Sequence, residues 1–105
     1  MNPGELELNV VSLDGHGVVH LVGELDLASA GKLRRTLHDL YQDGIRSLVL
    51  DLSRLGFVDS TGLSEFVTAL KYCRQRGGDV VLRSPTPSTA KVLAICGLDQ
   101  VFTID

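Results

Sequence analysis

The sequence predicts an α/β fold in which helices pack on a mixed, mostly parallel β-sheet, with the elements in the order ββαβαβαβ. Alternating apolar and polar residues at the start lead through a turn sequence into a second strand, which indicates an antiparallel hairpin. Short apolar runs then alternate with segments whose apolar residues recur every three or four positions. The chain has 105 residues, 44% of them hydrophobic and 22% charged, so we expect one soluble domain spanning residues 1–105.

The hairpin comes first. Apolar residues at Leu6, Leu8 and Val10 alternate with other side chains, as in an edge strand with one buried face. The sequence Asp14-Gly15-His16-Gly17 supplies turn chemistry, and the second strand is predicted over Val18–Val22.

Asp26 is predicted to cap the first helix, and Gly44 is predicted to end it. The buried stripe of this helix is formed by Ala30, Leu33, Leu37, Leu40 and Tyr41. The next strand, Leu48–Leu52, is almost wholly apolar, which is typical of a central strand covered on both faces. A short apolar loop over 54–58 should connect it to the second helix.

The second helix begins after Asp59 and ends at Gly77-Gly78. Its predicted buried face carries Leu63, Phe66, Val67, Leu70 and Cys73. The other side chains, Ser64, Glu65, Thr68 and Lys71, should mostly point elsewhere.

A fourth strand at Val80–Leu82 precedes a third helix, with Thr86 as its N-cap and Pro87 in its first position. That helix should bury Val92, Leu93 and Cys96. Gly97 suits the left-handed position after a helix, and a last strand is predicted from Val101 to Ile104.

Composition excludes several functional classes. The formal charge of −3 and the absence of a dense basic cluster disfavour nucleic-acid binding. No apolar run approaches the roughly 18 residues needed to cross a bilayer, and Met1–Glu5 lacks the features of a signal peptide. We therefore expect a cytoplasmic protein without membrane insertion.

Cysteine and histidine form no metal-binding pattern. Cys73 and Cys96 belong to no CxxC motif and are predicted to be buried thiols. His16, His20 and His38 are not spaced as ligands. With no catalytic triad and no glycine-rich phosphate loop either, we expect a non-enzyme without metal or cofactor.

The segment Asp59-Ser60-Thr61-Gly62 places a hydroxyl at the start of the second helix. The first N–H groups of a helix lack intrahelical partners and lie at the positive end of its dipole, so an anion is tolerated there. Phosphorylation could therefore add charge without unfolding the helix. Taken alone, the tetrapeptide favours a plain helix cap over a functional site.

Placed on this scaffold, the sequence resembles the STAS domain family in its bacterial anti-sigma factor antagonist form. The resemblance covers nearly the whole chain. It is carried by Gly23-Glu24-Leu25-Asp26, Asp51-Leu52, Asp59-Ser60-Thr61-Gly62, and Gly97-Leu98 followed by Phe102. Of these, Asp59-Ser60-Thr61-Gly62 is the segment most specific to the family.

The resemblance implies that Ser60 is phosphorylated by a partner that is both an anti-sigma factor and a serine kinase, with Thr61 as the alternative acceptor. The unphosphorylated form would bind the anti-sigma factor and release sigma, phosphorylation would end binding, and a serine phosphatase would reset the protein. The expected partner-binding residues are Glu24, Asp26, Asp59, Ser60, Thr61 and Gly62.

Two other functions remain open from the sequence. Asp26, Asp51 and Asp59 could converge on a divalent cation, as in a receiver-like phosphoacceptor domain, although Asp105 stands where such a domain would need a lysine. STAS domains also occur as accessory subunits of membrane transport complexes. In that case the hydroxyl in Asp59-Ser60-Thr61-Gly62 would not serve as a phosphorylation switch.

Overall fold

A computed structural model describes residues 5–105 and places five strands in one sheet, side by side in the order in which they occur along the chain. The elements are β1 (Glu7–Leu13), β2 (His16–Leu25), α1 (Ala30–Gln42), β3 (Ser47–Val58), α2 (Ser60–Gln75), β4 (Val80–Arg83), α3 (Pro87–Ile95), a 3₁₀ turn (Leu98–Gln100) and β5 (Thr103–Ile104). β1 is antiparallel to β2, and all other neighbouring strands are parallel. The predicted fold class and element order are confirmed.

The helices cover one face of the sheet. Parallel neighbours joined by right-handed crossovers in strictly sequential order bring every connecting helix to the same side. In β3, Leu48, Leu50 and Leu52 are buried, whereas the alternate Val49 is only half-buried. The prediction that this strand is covered on both faces is therefore wrong. The shortest dimension of the molecule, 20 Å, fits one sheet layer plus one helix layer.

The hairpin turn is tighter than the sequence suggested. Asp14 and Gly15 both have positive φ, 52° and 79°, and Leu13 pairs with His16 across the turn. This is the two-residue loop whose twist matches that of the flanking strands. His16 and Gly17, which were predicted to lie in the turn, already belong to β2. The predicted edge position of β1 is confirmed.

β3 runs through to Val58, so the loop predicted over 54–58 is instead strand. The segment pairs with the end of β2, and register shifts at His20/Val22 and Gly23/Glu24 break its regular alternation. That irregularity hid the strand from pattern analysis. As a result β2 and β3 end together, with Leu25 opposite Val58.

The first two helices pack side by side on the sheet. The predicted stripe of α1 is confirmed, with Tyr41 half-buried and stacked on Tyr72 at 3.7 Å between ring centroids. The prediction that Glu65 points away from the core is wrong, because the flank of α2 that faces α1 is covered too. Glu65 is buried there, and its Oε1 accepts hydrogen bonds of 2.6 and 3.0 Å from the guanidinium of Arg34. These bonds raise the pKa of Arg34.

α3 begins as predicted, with Thr86 as N-cap and Pro87 in the first position. Gly97 follows it in the left-handed conformation, with φ of 73°. Cys96 is exposed, so the predicted burial of its thiol is wrong. Cys96 is the C-cap residue, so the buried stripe of α3 ends before it. β5 is shorter than predicted and keeps only Thr103–Ile104.

No helix within residues 5–105 is long and apolar enough to cross a membrane. The expectation that the chain start is not a signal peptide concerns mainly residues 1–4, which lie outside the described residues.

Gly62 brings the start of α2 against the ends of β2 and β3. A Cβ at this position would lie 2.7 Å from Cγ of Leu25 and 2.8 Å from Cγ2 of Val58. Gly62→Ala should therefore lower the free energy of unfolding by about 1–3 kcal/mol through overpacking. Urea denaturation measures this change.

Gly31 in the first turn of α1 is the matched control. An added Cβ there meets only the mobile guanidinium of Arg35, at 3.3 Å. Gly31→Ala should raise the free energy of unfolding by about 0.5–1 kcal/mol, because alanine is the better helix former. Equal losses in the two variants would contradict the close approach at Gly62.

A candidate partner-binding surface at the start of helix α2

The carboxylate of Asp59 joins two segments of the chain. Asp59 has extended backbone before α2, and its Oδ1 accepts a 3.0 Å hydrogen bond from the Gly62 N–H, so it is the N-cap. Its Oδ2 accepts a 3.1 Å bond from the N–H of Leu27, in the loop after β2. The Asp59 N–H in turn donates to the carbonyl of Leu25. One side chain thus ties the helix start to the neighbouring loop.

The loop itself is ordered by Asp26. Its Oδ1 accepts hydrogen bonds from the N–H groups of Ala28 at 3.0 Å and Ser29 at 3.1 Å. The hydroxyl of Ser29 lies 3.1 Å from the carbonyl oxygen of Glu24. The prediction that Asp26 caps α1 is wrong, because a turn intervenes and the helix begins only at Ala30, after Ser29. Asp26 stabilises that turn.

Ser60 occupies the first position of α2 and is exposed. Its carbonyl accepts a 3.0 Å bond from the hydroxyl of Ser64, but its own hydroxyl bonds to no residue in the described part of the chain. Thr61 is partly buried and Gly62 is buried. Ser60 is therefore not the cap, and its hydroxyl is open to solvent at the positive end of the helix dipole.

The six predicted site residues all lie in these two segments, which the structure brings together. Glu24 is exposed near the end of β2, and Asp26 is partly buried in the loop that follows. The sequence patterns did not single out Leu27, which is 77% exposed beside the helix start. The signal in the sequence was that this leucine follows Asp26 but lies before the apolar stripe of α1, so no buried face was predicted for it. Leu27 adds one exposed apolar side chain to this surface.

Asp51 lies elsewhere. It is in the body of β3, eight residues before Asp59, a separation of roughly 25 Å along a strand. Its Oδ1 accepts a bond from the Ser53 N–H and its Oδ2 lies 2.9 Å from Nδ1 of His20, and these contacts, chiefly with Ser53, lower its pKa. Across residues 5–105, no three His, Cys, Asp or Glu side chains are grouped to hold a metal ion. The cluster required by the receiver-like alternative is not formed.

Removing the Asp59 carboxylate should loosen both segments. Asp59→Ala loses the bonds to Gly62 and Leu27, so we expect the free energy of unfolding to fall by about 1–2 kcal/mol. Hydrogen exchange at the Leu27 amide should also become faster, because that N–H loses its acceptor.

Ser60→Ala serves as the neighbouring control. Its hydroxyl makes no bond to the described residues, so the change in stability should stay within about 0.5 kcal/mol. If Ser60→Ala lowered the free energy of unfolding as much as Asp59→Ala does, the assignment of Asp59 as the N-cap would be contradicted.

Comparison with known proteins is consistent with this architecture. The family model described as STAS domain matches residues 7–105. BtrV of Bordetella bronchiseptica, a candidate anti-sigma factor antagonist, is 31% identical over 94% of this chain and 85% of its own length. The anti-sigma-B factor antagonist of Staphylococcus aureus is 27% identical over 95% of this chain and 93% of its own length. The crystal structure of an anti-sigma factor antagonist from Mycobacterium paratuberculosis superimposes with a TM-score of 0.86 at 27% identity, covering 98% of this chain and 87% of that one.

Proposed function

The chain belongs to the STAS domain family, and from that premise we propose that it is an anti-sigma factor antagonist. In this role it binds an anti-sigma factor and so frees a sigma factor for transcription in the cytoplasm. The observation that carries the proposal is the exposed hydroxyl of Ser60 on the first turn of α2, next to Asp59, whose carboxylate also holds the loop after β2. The binding surface comprises Glu24, Asp26, Leu27, Asp59, Ser60, Thr61 and Gly62.

In our proposal, phosphorylation of Ser60 switches binding off. The exposure of Ser60 favours it over the partly buried Thr61 as the acceptor. The anti-sigma factor would itself be the serine kinase, and a serine phosphatase would restore the unphosphorylated form. The helix start tolerates the new charge, so the fold survives modification.

Electrostatics make such a switch effective. A phosphate adds about −1.5 to −2 charges close to the carboxylate of Asp59 and to the loop that carries Asp26. Weakening a complex a hundredfold takes about 2.8 kcal/mol. Desolvating a multiply charged group against a surface that fits a neutral hydroxyl costs at least that much, so no change of global conformation is required.

Substitutions at Ser60 separate folding from function. Ser60→Asp should reduce affinity for the anti-sigma factor at least tenfold while thermal stability stays nearly unchanged, because negative charge is favourable at a helix start. Ser60→Ala should bind like the wild type but accept no phosphate from the kinase and ATP. Calorimetry measures affinity, and intact mass measures phosphate.

Thr61→Ala is the matched control and should still be phosphorylated. Phosphate on Ser60→Ala would move the switch to Thr61. Full binding by the phosphorylated wild type would refute the mechanism, and recovery of transporter subunits instead of a kinase in a pull-down would favour the transport alternative.

The loop after β2 should contribute to the same interface. Asp26→Asn keeps the acceptor that orders the turn but removes its charge, and Leu27→Ala removes the exposed apolar side chain. Both should weaken binding by about threefold or more. Glu7→Gln, an equally conservative change on the edge strand β1, should leave affinity unchanged. Equal effects of all three in a titration would argue against this surface.

A further inference from the structure

An open groove runs along the outer flank of α2, starting at Ser60. Its first half, a cleft of about 420 Å³, is lined by Ser60, Leu63, Val67, Lys71, Cys96 and Leu98, among others. Its second half, about 370 Å³, shares Val67 and Lys71 with the first and adds Leu70, Arg74 and Val101. The two clefts therefore form one continuous depression, here called the α2 groove.

The groove exists because little of the chain covers this flank. α3 has nine residues against sixteen in α2, and after it the chain turns at Gly97 into the 3₁₀ turn and the short β5. The flank is left with an apolar floor that is partly open to solvent, including the half-buried Val67 and Val101, which is 42% exposed. Sixteen helical residues give it a length of about 24 Å.

Charge differs between the ends of the groove. The lining near Ser60 is uncharged, whereas Lys71 and Arg74 line the groove toward its other end. Arg74 is held by Asp79 and by the carbonyl of Val101, whereas Lys71 forms no ion pair with any residue from 5 to 105. An occupant should therefore offer apolar side chains along its length and a carboxylate near Lys71.

We propose that the α2 groove binds an amphipathic helix of the anti-sigma factor. This inference rests on the proposed function and extends its interface from the Ser60 end along the whole of α2. The length suits a helix of about four turns with apolar residues at i, i+4, i+7 and i+11, and an acidic residue above Lys71. Because Ser60 lines the entrance, a phosphate there would lie against the same bound helix.

Charge placed in the groove tests this directly. Val67→Glu should weaken binding of the purified anti-sigma factor at least tenfold, and Lys71→Glu at least threefold. Val11→Glu puts the same side chain on β1, at a valine that is 65% exposed and remote from α2, and should change affinity less than twofold. Circular dichroism melting curves check that each variant is folded.

Cys96 allows an independent test, because its thiol is exposed on the groove wall. Cys73 is buried, and burial raises the pKa of its thiol to about 11, so a maleimide should react with Cys96 alone. Labelling the wild type with a bulky maleimide should weaken its affinity for the anti-sigma factor at least tenfold. The same treatment of Cys96→Ser, which has only the buried thiol, should have no effect.

The outcomes separate the two proposals. If wild type binds, Ser60→Asp does not, and the groove variants and the labelled protein bind normally, the groove inference is overturned while the proposed function stands. If the wild type fails to bind any anti-sigma factor kinase of its organism, the proposed function falls and the inference falls with it.

Discussion

The candidate site depends on the two hydrogen bonds accepted by the carboxylate of Asp59. One caps α2 through Gly62, and the other holds the backbone of Leu27. Neither bond involves Ser60, so its hydroxyl is exposed at a helix start that is nevertheless capped. A fixed helix terminus with an unengaged hydroxyl suits reversible modification, because the added charge changes what the surface can bind without changing what supports it.

Strand order explains why the two segments meet. β2 and β3 are parallel neighbours that end at the same level, so the loop after one and the helix after the other emerge from the same edge of the sheet. Sequential order with right-handed crossovers also gathers all the helices on one face. The opposite face keeps half-buried valines and the His20–Asp51 pair. The proposed partner-binding residues and the α2 groove both lie on the helical side and along its rim.

Two features of the helical layer follow from how closely its members pack. α1 and α2 are near enough for Glu65 to be buried against Arg34. On the other flank, α3 is too short to cover α2, and this leaves the groove open and Cys96 exposed. Both features concern contacts between helices distant in sequence, and the amphipathic pattern of each single helix gives no sign of them.

The sequence alone determined the element order, the edge position of β1, the cap at Thr86, and the helix start that carries Ser60. These are local properties, set by hydrophobic period and by the backbone chemistry of capping residues. Tertiary structure decided the rest. Residues 54–58 form a strand because they pair with a bulged β2. Asp26 stabilises a turn and does not cap α1, because the helix begins only at Ala30. The exposure of Leu27 and Cys96 depends on which surfaces other elements cover. Burial and pairing are relations between segments far apart in the chain, so a pattern read along one segment cannot contain them.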